Sequence, residues 1–188
     1  MAVKAATVLF FAIFALVSGL LSLDSESSFT VTHSFSMYRI CKSLEIENGH
    51  MLTKHPDKCR FPHGHTRKVE FIIEAEELDD HQMVCDFKII KEAVGEWLDI
   101  FDHALCMNTA DPAYTEFKSR YGERIIGFEN QDPTTELMAR TIFDHASQSL
   151  IDYAARNDPR YRLATGVRLV RVRVWETSSS WAEFEQSL

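Results

Sequence analysis

The stretch from Tyr38 to Glu47 alternates strictly. Even positions hold Tyr38, Ile40, Lys42, Leu44 and Ile46, and odd positions hold Arg39, Cys41, Ser43, Glu45 and Glu47. A period of two marks a half-buried strand. A second alternation follows Thr66, with Val69, Phe71 and Ile73 on one face and Lys68, Glu70 and Glu74 on the other. The period then changes. Between Asp86 and Phe101, the residues Phe87, Ile90, Val94, Trp97, Leu98 and Phe101 fall at helical spacing. Asp132-Pro133-Thr134-Thr135-Glu136 is a helix-start signature, with a cap residue and a proline near the first turn. Met138, Ile142, Ala146 and Leu150 continue that helix. From Val167 to Trp175 the chain returns to a strand, Val170, Val172 and Val174 opposing Arg171 and Arg173. The order β-β-α-α-β predicts an α+β domain, an antiparallel sheet with helices packed on one face.

A chain of 188 residues that is 45% hydrophobic can bury a single core. Its formal charge of −8 argues against binding to a nucleic-acid backbone, which needs a basic surface. The four cysteines, Cys41, Cys59, Cys85 and Cys106, are too sparse for a disulfide scaffold. Of these, Cys41, Cys85 and Cys106 lie in apolar or strand surroundings and are expected in the core. The first 36 residues differ from the rest. Val3 to Leu23 is apolar apart from Lys4, the pattern of a signal peptide or membrane anchor. Met37 offers a second credible start, MYRICKSLEIENGH, and periodic structure begins directly behind it. Residues 1–36 are therefore either a targeting segment or a mis-assigned start, and the domain is sought in residues 37–188. Protein begun at Met37 is expected to fold, and in that case to work in the cytoplasm.

His63-Gly64-His65 is the sharpest local signal. Residues i and i+2 of a strand share a face, so two imidazoles there can share one ion. Their parity matches Val69, Phe71 and Ile73, and His50 has the parity of Leu44 and Ile46. All three would face the protected side. Three neutral imidazoles with an open fourth position suit a catalytic zinc site, although an isolated H-x-H also arises by chance. His55, in a polar loop, is expected to be solvated. Cys59 lies four residues before His63, where a metal or histidine would depress its pKa and make it a base, a nucleophile or a fourth ligand. Asp102-His103 could move a proton, the carboxylate orienting the imidazole. A second pair, Asp144-His145, is expected at the surface of the later helix. Glu176 shares the parity of Val170, Val172 and Val174. Facing inward, it would need a partner offering N–H donors.

Taken together, these motifs resemble the family of 6-pyruvoyl- and 6-carboxy-tetrahydropterin synthases. His50, CRFPHGH, MVCDF (Met83 to Phe87), FDHALCMN (Phe101 to Asn108), PTTE (Pro133 to Glu136) and WET (Trp175 to Thr177) occur in the family's order. The resemblance implies the tunnelling fold, a four-stranded antiparallel sheet with two helices per subunit. The subunits would join into a barrel as a homo-oligomer, a tetramer or hexamer. It implies zinc on His50, His63 and His65, with Cys59 as proton acceptor and Asp102 and His103 completing a relay. It implies that Glu176 anchors a pterin ring, with Thr135 and Glu136 near that pocket. The three residues between Cys59 and His63 look like the bacterial 6-carboxy enzyme. That enzyme converts 7,8-dihydroneopterin triphosphate to 6-carboxy-tetrahydropterin, acetaldehyde and triphosphate in queuosine biosynthesis. The alternatives are the pyruvoyl enzyme, which only eliminates triphosphate, and a zinc-stabilised pterin-binding relative without turnover. The segment Thr109 to Gln131 is longer than in compact members, an added loop or helix.

Overall fold

The computed structural model describes residues 36–186. The apolar run Val3 to Leu23 lies outside them, and among the described residues no helix is long and apolar enough to cross a membrane. Strands β1 (Tyr38–His50) and β2 (His63–Ala75) form a long antiparallel pair that starts where the alternation starts. Helix α1 (Phe87–Leu98) follows, its Asp86 cap accepting from the Lys88 amide, and a turn of 3-10 helix runs on to Phe101. Then come β3 (Ala104–Asn108), α2 (Tyr114–Tyr121), β4 (Ile125–Phe128), α3 (Thr135–Arg156), β5 (Arg168–Thr177) and β6 (Ser180–Glu185).

The α+β class holds, but the sheet differs from the expectation of four antiparallel strands and two helices. It has six strands in the order β4-β3-β1-β2-β5-β6. Strands β3 and β4 pair in parallel with β1 and with each other, so the sheet is mixed. These two strands are only five and four residues long and mostly buried, too short to show an alternation. The long segment Thr109 to Gln131 holds α2 and β4.

Helices α1 and α3 pack on one face of the sheet, as expected. Ile90, Val94 and Leu98 of α1 meet Met138, Ile142 and Ala146 of α3 over Val69, Phe71, Ile73, Val172 and Val174. Phe87, counted on the buried face by its spacing, is instead exposed at the first residue of α1. Cys41, expected in the core, is exposed on the opposite face of β1, whereas Cys85 and Cys106 are buried.

Helix α2 covers the other face at the β3–β4 edge. Met107 and Leu105 turn toward Ala113, Tyr114 and Phe117, while Cys106 between them joins the main core. A side chain at Gly127 of β4 would stand 2.5 Å from the Tyr114 hydroxyl. Gly127→Ala is expected to push α2 off this edge and cost roughly 1–3 kcal/mol by overpacking, read as a lowered urea midpoint with an unchanged slope.

Candidate metal centre

The register of β1 and β2 builds the site. His50 lies directly across from His63, and Asn48 across from His65, so three imidazoles gather at one end of the pair on the core-facing side. Their ring centroids are 4.4, 5.1 and 5.2 Å apart. Each offers a nitrogen within 4.8 Å of the other two. The His50 Nδ1 lies 2.9 Å from the Pro133 carbonyl oxygen, and the His63 Nδ1 lies 2.8 Å from that of Phe61. A carbonyl only accepts, so both Nδ1 atoms carry the proton and both Nε2 atoms present a lone pair.

These residues fit a metal. Nε2 of His50 and Nε2 of His65 are buried with no hydrogen-bond partner. Burial, followed by the Arg67 charge, pushes the His65 pKa down, which favours the neutral imidazole that a metal requires. Three imidazole nitrogens with an open side make a donor set suited to zinc.

The neighbouring groups come from β2, α3 and β5. Glu176 lies one residue past the Lys68–Trp175 pairing, where the β5–β6 register shifts between Trp175 and Thr177. Its Oε1 is 3.3 Å from His50 Nε2 and 3.5 Å from His65 Nε2. It also accepts a 3.0 Å hydrogen bond from Thr135 Oγ1 at the start of α3. A proton on His50 Nε2 is the first influence that lowers the Glu176 pKa, to about 2, opposed by burial and joined by Arg67 and Thr135; in the neutral ring, with the lone pair on Nε2, Arg67 and Thr135 alone hold it down. Arg67 is fully buried beneath this group, donating from Nη1 to Thr135 Oγ1 at 3.0 Å. The sequence reading missed it, although a signal was present. Position 67 shares the parity of His65 and Val69, so an arginine on an apolar strand face required a partner.

The remaining expected residues lie further off. Glu136 is exposed in the first turn of α3 and makes no hydrogen bond or ion pair with the cluster. Cys59 is half-buried in a turn of 3-10 helix, Lys58–Arg60. Its carbonyl accepts from the Leu52 amide at 2.9 Å, pinning the β1–β2 connection, and its thiol is outside the three-histidine group.

Asp102 Oδ2 is 2.7 Å from His103 Nδ1, and its Oδ1 accepts from the Glu47 amide at 2.7 Å. That amide bond, followed by the His103 contact, lowers the Asp102 pKa. His103 takes a left-handed backbone with φ of 56°, uncommon outside glycine, and its side chain is 73% exposed. It lines a groove of about 590 Å³ with Gly49, Gly64, Thr66, Tyr121 and Arg124. Gly49, Gly64 and Thr66 belong to the sheet face opposite His50 and His63. Asp102 and His103 are thus paired as expected, but on the other side of the sheet. His55 is half-exposed and accepts from the Asp57 amide. The expectation for Asp144-His145 is half corrected. Asp144 is exposed, whereas His145 stacks on Trp97 at 3.8 Å between centroids.

A sheet with helices packed on one face and a polar cluster at its strand ends is the architecture of the tunnelling-fold proteins. The chain belongs to the 6-pyruvoyl tetrahydropterin synthase family, whose model matches residues 39–187. It is 26% identical over 167 residues to the 6-carboxy-5,6,7,8-tetrahydropterin synthase of Aquifex aeolicus, covering 79% of this chain and 98% of the relative. It is 30% identical over 164 residues to a putative 6-carboxy-5,6,7,8-tetrahydropterin synthase of Pyrococcus abyssi, with 80% and 91% covered. Among solved structures, an uncharacterised protein from Wolinella succinogenes superposes with a TM-score of 0.61 at 20% identity, over 81% of this chain and 99% of that one. The 6-pyruvoyltetrahydropterin synthase of Plasmodium vivax, in a catalytic-residue mutant, gives 0.59 at 15% identity with the same coverage. These two likenesses concern the fold alone.

Proposed function

We propose that this chain is a zinc-dependent lyase that converts 7,8-dihydroneopterin triphosphate and one water to 6-carboxy-5,6,7,8-tetrahydropterin, acetaldehyde and triphosphate. Family membership and the names of the curated relatives support the pterin chemistry. The observation that carries the metal is the convergence of three imidazoles beside one ionised carboxylate. When bound, zinc on His50, His63 and His65 would polarise side-chain oxygens of the substrate and acidify the neighbouring C–H.

The chain's own residues supply the rest. Glu176 commits Oε1 to Thr135 and Arg67, which leaves Oε2 to accept from the guanidine-like edge of a pterin. Cys59 accepts the proton, and Asp102 keeps His103 oriented to pass it on. Because Asp102 and His103 face the other side of the sheet, the relay closes when a neighbouring subunit presents its own pair. A homo-oligomeric barrel, a tetramer or hexamer, would supply such a pair, and queuosine biosynthesis is the pathway that the carboxy-pterin reading implies.

Glu176→Gln keeps the shape and removes the charge. Charge-assisted hydrogen bonds are worth roughly 1.5–3 kcal/mol each, so affinity for neopterin should fall about tenfold or more while zinc stays bound. Calorimetry showing equal affinity would refute the anchor. The reaction itself is tested by incubating zinc-loaded protein with dihydroneopterin triphosphate and weighing the products. The expected products are 6-carboxy-tetrahydropterin and acetaldehyde. A pyruvoyl product without acetaldehyde would favour the second function, which the family's own description names. Bound zinc and pterin without turnover would leave a binding protein.

A further inference from the structure

Arg67 enters the chemistry above only as a partner of Glu176, yet it is among the largest fully buried side chains of the domain. Burying a guanidinium is strongly unfavourable unless an anion and hydrogen bonds compensate it. Among the described residues its ion-pair partner is Glu176, with Nη2 3.5 Å from Oε1, and its Nε has no partner. Nη1 donates to Thr135 Oγ1 at 3.0 Å, and Thr135 Oγ1 donates in turn to Glu176 Oε1 at 3.0 Å. Arg67 therefore acts on the carboxylate twice, directly and through the threonine hydroxyl, and both routes end on one oxygen.

The same oxygen stands beside the metal nitrogens. Zinc holds imidazole nitrogen at about 2.0–2.1 Å and carboxylate oxygen at about 2.0–2.2 Å in tetrahedral sites, so two ligand atoms on one ion lie about 3.3–3.5 Å apart. Oε1 is 3.3 Å from His50 Nε2 and 3.5 Å from His65 Nε2. It already sits at ligand-to-ligand spacing from two of the three donors. A dication placed there would draw this carboxylate in as a fourth ligand, giving a closed site of structural type. Among the described residues, Thr135 and Arg67 pull the other way. Arg67 Nη2 is also 3.2 Å from His50 Nδ1. That nitrogen already donates to the Pro133 carbonyl, and the guanidinium has only donors, so the contact places a positive charge beside a metal ligand without bonding to it.

We propose that Arg67 is a positioning residue that holds the Glu176 carboxylate back from the metal, keeping the fourth coordination position open and the carboxylate free to anchor the ligand. This rests on the metal and pterin functions proposed above. It adds that the site is open because a buried cation competes with the metal for one carboxylate oxygen. Arg67 thereby trades metal affinity for ligand affinity.

The trade-off distinguishes this role from a merely structural one, because the two affinities move in opposite directions. In Arg67→Met, of similar volume and no charge, zinc should be held about tenfold or more tightly in competition with a chelator. Neopterin affinity of the zinc-loaded protein should fall about tenfold. The visible spectrum of the cobalt(II)-substituted protein should change as the carboxylate coordinates. Arg67→Lys keeps the charge and should stay near wild type for zinc. Thr135→Val removes the hydroxyl link with little change of volume and should shift both affinities in the same directions as Arg67→Met, which keeps the test available if the methionine variant does not fold. In the double variant Arg67→Met/Glu176→Gln the gain in zinc affinity should disappear, because the carboxylate that closes the site is gone. Zinc and neopterin affinities that fall together in Arg67→Met and Thr135→Val, or that stay at wild-type values, would overturn the proposal. Wild-type protein is the control for the underlying function. If it binds zinc but not neopterin, the pterin assignment fails, while the zinc affinities and cobalt spectra still decide the role of Arg67. If it takes up no zinc, both fail.

Discussion

Alanine in place of His65 should strip the protein of most of its zinc and reduce turnover by about a thousandfold or more. The Nε2 of His65 is buried and unpartnered within reach of the other two ligand nitrogens, and the two remaining imidazoles cannot hold a tetrahedral ion alone. A metal that polarises the reacting oxygens supplies several kcal/mol, and each 1.36 kcal/mol is worth tenfold in rate. His50→Ala should behave alike and also release the Pro133 carbonyl, so some loss of fold stability should accompany it. Metal analysis of the purified variants by mass spectrometry checks this, and zinc content equal to wild type in both would remove the three histidines from the account. The site should also load well into mild acid. The His65 pKa is lowered, so its imidazole stays neutral at a pH where an ordinary histidine is protonated. Glu176, ordinarily near 4.5 and here at about 2, stays charged throughout. What its ionisation adds to stability is present above 4.5 and is lost as pH falls from there toward 2.

The second large effect should come from Cys59→Ala, which is expected to keep full zinc occupancy and lose turnover by about 10²–10⁴, the range of a general base. The thiol lies outside the histidine group, in a turn held by its own backbone bond to Leu52, so removing it leaves the ligands undisturbed. Loss of zinc in this variant, measured beside its turnover, would instead make Cys59 a ligand.

Much of this geometry was legible because β1 and β2 are long. Thirteen residues each gave an alternation clear enough to set which face His50, His63 and His65 share. Helix α3 announced itself through the helix-start stretch Asp132 to Glu136, in which Thr134 proves to be the cap, and through its stripe Met138, Ile142, Ala146 and Leu150. The short strands were hidden for the opposite reason. In β3 four of five positions are buried and in β4 both ends are, which leaves no alternation to read, and parallel pairing leaves no turn signal between partners. Strand β6 adds six residues with little alternation in burial. Cys41 misled because exposure on the outer sheet face is set by what covers that face, which composition does not show. Arg67 was passed over although position 67 shares the parity of His65 and Val69, and its role needed the third dimension, since Thr135 and Glu176 come from 68 residues and more along the chain.

The central claim is that three imidazoles, and not the thiol, hold the metal beside a carboxylate reserved for the ligand. X-ray absorption at the zinc edge tests it most directly, on protein loaded with one equivalent of zinc with and without neopterin. The expected spectrum shows only nitrogen and oxygen scatterers, with zinc–nitrogen distances of about 2.0–2.1 Å and a change in the light-atom shell when neopterin binds. A sulfur scatterer at about 2.3 Å, or zinc bound without histidine neighbours, would contradict it.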